Sequence, residues 1–155
     1  MSIFLGIDPA LNSTGYAILE KKGNSAILIE CGVIKNKIET DFMQKLVNIF
    51  DCVSQICTLY KPTACGIEET FINVNASSSL KLGIARGAIL TAIAKQGIPI
   101  TEYSPNKIKK TITGFGKADK GQVQFMVEKM VQNIKPNLRP DEADAIAIAL
   151  VCFFA

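Results

Sequence analysis

Four carboxylates stand at the ends of apolar runs in a chain that contains no histidine. Asp8 closes the run Ile3-Phe4-Leu5-Gly6-Ile7, and Glu68 closes Ala64-Cys65-Gly66-Ile67. Asp141 and Asp144 open the helical pattern that runs through Leu150. Acids at the edge of a core repel one another and lose hydration, so four of them brought together need a counter-charge. With only oxygen ligands on offer, a hard divalent cation fits best, Mg²⁺ or Mn²⁺ rather than zinc or copper. The missing imidazole also removes Ser-His-Asp and Cys-His relays, which leaves metal-assisted hydrolysis as the leading chemistry.

A second group of residues could face a polyanion. Lys107, Lys109, Lys110, Lys117 and Lys120 are interleaved with Gly114, Gly116 and Gly121 against one acid, Asp119. Ammonium groups and exposed backbone can both approach phosphates there, although a solvated loop would look the same. Net charge is only +3 and names no partner. The five cysteines form no C-x-x-C pair and fall mostly in apolar patterns, which fits reduced, buried thiols.

The elements that must position these residues follow from the hydrophobic pattern. A chain of 155 residues, 48% hydrophobic, suits one domain spanning 1–155. Residues 2–8, 14–21 and 25–35 read as three strands in an antiparallel meander, and 40–60 as a helix with Leu46, Ile49, Phe50, Val53 and Ile56 on one face. A strand at 64–69, a helix at 77–96 and a strand at 98–103 follow. Ser104-Pro105 caps a short helix through Thr111, and helices at 120–134 and 141–154 complete a five-stranded α/β order. If the helix at 40–60 is a right-handed crossover, the strand at 64–69 lies parallel to the first. Asp8 and Glu68 then project from one sheet edge, on the order of 5 Å apart. Asp141 and Asp144 share a helix face through their i, i+3 spacing. Asp141 after Pro140 also suits plain helix-capping chemistry, and Glu68-Glu69 could be surface. The longest uncharged apolar stretch, Ala145–Ala155, is too short to span a bilayer, and no basic leader follows Met1, so the reading is a cytosolic protein.

Four blocks carry a resemblance: Gly6-Ile7-Asp8-Pro9 with Thr14-Gly15-Tyr16; Glu68-Glu69-Thr70-Phe71; Leu80 through Gly87; and Asp141 through Ala149. Together, in order and across nearly the whole chain, they resemble the RuvC family of Holliday-junction resolvases. The resemblance implies a ribonuclease-H-like fold, a five-stranded mixed sheet flanked by helices. It further implies a homodimer that makes paired, symmetric, Mg²⁺-dependent nicks in four-way DNA junctions, leaving 5′-phosphate and 3′-hydroxyl ends during recombination and repair. The family's metal-binding acids fall on Asp8, Glu68, Asp141 and Asp144, with two Mg²⁺ per site expected and Mn²⁺ able to substitute. Its active-site lysine falls on Lys120, a further DNA-contacting lysine on Lys109, and its junction-probing aromatic on Phe71. A bacterial, nucleoid-associated setting and the RuvA–RuvB branch-migration complex as partner are implied in the same way. Ala10 stands where many relatives have glycine, Glu69 where glutamine is frequent, and Val74 where some carry lysine; none of these is one of the four acids.

Two rivals remain at this level. A phosphotransferase could use a Gly6–Asp8 motif as a phosphate loop, but that fold needs two related lobes and this chain has length for one. A junction-binding protein without catalysis would not need the intact acid set.

Overall fold

The computed structural model describes residues 1–70 and 74–155. Three strands, β1 (Ser2–Asp8), β2 (Ser13–Lys22) and β3 (Ser25–Lys35), form the expected meander. Helix α1 (Phe42–Tyr60) crosses to β4 (Ala64–Glu68), and α2 (Ala76–Ala94) crosses to β5 (Ile100–Tyr103). Helices α3 (Pro105–Thr113) and α4 (Lys120–Met130), the two-residue strand β6 (Val131–Gln132) and α5 (Pro140–Phe154) follow.

The sheet has six strands in the order β5-β4-β1-β2-β3-β6, one more than the five expected from the sequence. The added strand comes from the end of the run expected as helix 120–134. That helix stops at Met130, and Val131 and Gln132 pair in parallel with Ala26 and Ile27 at the outer edge of β3. Two residues are too few for alternation to register, and Met130-Val131 suits either state. The other boundaries coincide or differ by one or two residues, as helix and strand ends commonly do.

β1 pairs antiparallel with β2 and parallel with β4, as the crossover argument required. Strand alternation then separates two cores. Leu5 and Ile7 of β1 and Cys65 and Ile67 of β4 face α1 and α2, where Ile49, Val53, Ala85 and Ile89 receive them. Phe4 and Ala64 face the opposite side, against a core built on α3, α4 and α5. Period two therefore places Asp8 and Glu68 on the α5 side of the sheet.

Helix α5 can reach that side because glycine leaves it room. A Cβ on Gly6 would fall within 2.5 Å of Ala149 N and closer still to Ala145 O, and one on Gly15 would strike the backbone of Asp141. Gly15 is the partner of Asp8 in the β1–β2 ladder. Alanines at 145, 147 and 149 keep the helix equally slim, and all three are buried. Close approach of α5 to β1 is thus written into both elements.

Candidate metal centre and active site

Asp8 is the last residue of β1, and α5 brings Asp141 and Asp144 to it. One carboxylate oxygen from each of these three side chains lies within 4.8 Å of the others, the spacing a single cation could bridge. Glu68 ends the neighbouring parallel strand, its predecessor Ile67 level with Ile7. It stands at the side of this group, not within its tight centre, and close enough to raise the Asp8 carboxyl.

The electrostatics match the crowding. Asp8 is pushed up to about 7, first by burial and then by Asp144, Glu68 and Asp141, with Lys120 opposing. Burial and Asp144 also raise Glu68 above the ordinary carboxylate range, against Lys120, Lys109 and Arg86. Burial and crowding of like charges favour the protonated acids, which is the condition a divalent cation relieves. All the cluster's donors are hard oxygens, and the site fits a hard divalent cation on that chemistry.

Lys120 supplies the nearest cation. It is the first residue of α4, behind an Asp119–Gln122 capping box, and its Nζ lies 3.0 Å from Asp144 Oδ2. The hydrogen bond to Asp144 is the main reason its ammonium is held above its ordinary value. Lys120 and Lys109 line one cavity of about 360 Å³ with Glu68 and Asp144, floored by Ile108, Ala147 and Ile148. Lys109 is placed there by α3, whose Ser104 cap accepts the Lys107 N–H and whose C-terminus turns at Gly114 with φ 79°. Lys107, Lys110 and Lys117 are exposed. Phe71 lies outside the described residues.

Asp141 does not cap its helix. The cap position is Arg139, whose N–H is accepted by Glu142, and Asp141 instead takes a hydrogen bond of 2.7 Å from Ser13 Oγ. The turn that carries Ser13 is itself held. Thr14 Oγ1 donates to Ala10 O, and the buried Lys45 Nζ donates to Asn12 Oδ1 at 2.7 Å. Ala10 needs no left-handed backbone here, so the absent glycine leaves no strain. Ser13 is not marked by the sequence, because a hydroxyl between two strands gives no sign of a partner so distant in the chain. Arg86 was also missed as a site neighbour. Its guanidinium donates to the Glu68 carbonyl. The signal available was a cation beside Ala85 and Ile89 on a helix face otherwise apolar.

The cysteines are free thiols; Cys31, Cys57, Cys65 and Cys152 are buried and Cys52 half-buried. Among the described residues, no helix is long and apolar enough to cross a membrane.

Known proteins resemble this chain in sequence and fold. The family profile described as crossover junction endodeoxyribonuclease RuvC matches residues 4–152. The protein of that name from Rickettsia bellii (strain RML369-C) is 41% identical over 150 residues, covering 97% of this chain and 96% of its own. Its namesake from Cupriavidus pinatubonensis is 41% identical over 146 residues, covering 94% and 80%. The solved structure of T. thermophilus RuvC in complex with Holliday junction substrate superposes with a TM-score of 0.92 at 28% identity, over 99% of this chain and 94% of that one. The fold is accordingly the ribonuclease-H-like α/β class. A sheet edge bearing carboxylates, closed by a slim helix that brings two more, is here joined to sequence agreement along nearly the full length, and the chain belongs to the crossover junction endodeoxyribonuclease RuvC family.

Proposed function

We propose that this chain is a nuclease of DNA recombination and repair that resolves four-way Holliday junctions by paired, symmetric nicks leaving 5′-phosphate and 3′-hydroxyl ends. The observation that carries the reading is the convergence of Asp8, Asp141 and Asp144 within 4.8 Å, with Asp144 also lining a cavity that Lys109 and Lys120 share. Asp8, Asp141 and Asp144, with Glu68 completing the set, would hold divalent metal, two Mg²⁺ per site with Mn²⁺ able to replace them. When bound, such ions neutralise the scissile phosphate and acidify the attacking water.

The chain's own groups do the rest. Ser13 fixes the direction of Asp141 through its hydrogen bond. Lys120, tethered to Asp144, offsets negative charge growing on the phosphoryl oxygens, and Lys109 meets a phosphate on the cavity rim. Phe71 is assigned a stacking contact with an unpaired base, worth about 1–3 kcal/mol. Residues 1–155 act as one catalytic domain, and a second copy docked on α2 would present two sites to the two opposed strands of a junction. The working place is the bacterial cytoplasm at the nucleoid, with the RuvA–RuvB branch-migration complex as partner.

A nicking assay on a mobile four-way junction tests the reading. Asp141→Asn and Glu68→Gln keep side-chain size and remove one negative charge each. Nicking in Mg²⁺ should fall by about a thousandfold, while junction affinity in EDTA stays equal or tightens, because one repulsive charge facing phosphate is gone. Near-normal nicking by either variant would exclude the residue from the metal site.

A further inference from the structure

Arg86 sits in the middle of α2 on the face that packs against the sheet, between Ala85 and Ile89 of the buried core. Its side chain is 11% exposed, and burying a guanidinium is costly unless its donors find acceptors. Its partners come from two separate segments, the end of β4 and β5. Nη1 donates to the Glu68 carbonyl at the end of β4 and, at 3.3 Å, to Thr70 Oγ1 just beyond it. Nη2 lies 2.8 Å from Glu102 Oε1 on β5. A planar fork with five donors can serve three such groups at once; an ammonium cannot.

Glu68 is the acid that most needs holding. Asp8, Asp141 and Asp144 are locked together by the seating of α5 on β1, and Asp141 has Ser13 besides. Among the described residues, no hydrogen bond holds the Glu68 carboxylate, so its direction is set by the backbone that Arg86 grips. Arg86 is too deeply buried to meet DNA itself.

We infer that Arg86 is a positioning residue for the metal centre: by tying the Glu68 carbonyl, Thr70 and Glu102 together it fixes the end of β4 and aims the Glu68 carboxylate at the cluster. The inference rests on the metal-site reading above. Mutating groups that orient metal ligands typically weakens metal binding by 10–100-fold.

The test measures Mn²⁺ affinity of the DNA-free protein by calorimetry, junction affinity in EDTA, and nicking as a function of metal concentration. Arg86→Lys keeps the charge but loses the fork, so Mn²⁺ affinity should fall by about tenfold. Nicking should recover toward the wild-type rate as metal is raised, and junction affinity in EDTA should not change. Glu102→Ala removes one tether from a half-exposed position that does not threaten the core, and should weaken Mn²⁺ binding about threefold in the same direction, a fraction of the full effect. If Arg86→Lys fails to fold, Glu102→Ala decides alone, unchanged Mn²⁺ affinity overturning the assignment. If Glu68→Gln loses Mn²⁺ affinity while both other variants keep it, Arg86 has no positioning role although the metal site stands. Full Mn²⁺ affinity in Glu68→Gln overturns both.

Discussion

Asp8 keeps a proton where an ordinary aspartate has lost it. Burial, then Asp144, Glu68 and Asp141, raise it from 3.8 to about 7 in the folded, metal-free chain. Between those values the folded state binds the proton and the unfolded state does not, so stability falls as pH rises through this window. In EDTA the melting temperature should therefore drop between pH 5 and 8. Asp8→Asn, neutral throughout, should flatten that slope and melt several degrees above wild type at pH 8; calorimetry across pH checks both. The same proton competes with metal. Mn²⁺ affinity should climb by up to about tenfold per pH unit toward pH 7 and level above it, and a flat profile would refute the competition. The identities of these acids were legible in the sequence because strand alternation and i, i+3 spacing are local rules. The hydroxyl of Ser13 and the fork of Arg86 were not, because each acts on a partner brought near only by tertiary contact.

At the scale of elements, two glycine sites predict opposite outcomes. Gly6→Ala drives a methyl into the backbone of α5, which has nowhere to move, and should cost about 3 kcal/mol or more in urea unfolding. Gly87 on α2 has open space above it, with no atom within 4 Å of an added Cβ. Nearby Leu80 and Ile84 are 67% and 42% exposed and, with Ala76, Ser79 and Gly83, line an apolar surface cavity of about 530 Å³. If the proposed homodimer docks through α2, Gly87→Leu should leave the fold melting close to wild type yet yield monomer by sedimentation velocity, and an undisturbed dimer would place the contact elsewhere. Periodicity read α1, α2 and α5 well because their buried faces are long. It passed over β6, which exists only because β3 offers a free edge there.

For the molecule as a whole, two lysines share a cavity with two of the acids, Glu68 and Asp144. Lys109 lines the cavity with Lys120, and Lys107, Lys110 and Lys117 of the same segment are exposed. Lys109→Ala should weaken junction binding and lower the slope of log affinity against log salt by about one counterion. Lys120→Ala should slow nicking more than it weakens binding, and an unchanged slope in the Lys109 variant would place that lysine away from phosphate. Topology explains why sequence alone could suggest this arrangement without proving it: the cluster draws on β1, β4 and α5, and only their packing closes it. That packing orders events in time. While the chain is being made, Asp8 and Glu68 emerge well before α5, and until α5 settles over Gly6 and Gly15 the cluster lacks the two acids that helix carries. On the proposed reading, a nascent chain thus holds only half of its metal-binding acids, and the set closes when the helix that carries Asp141 and Asp144 docks on the sheet.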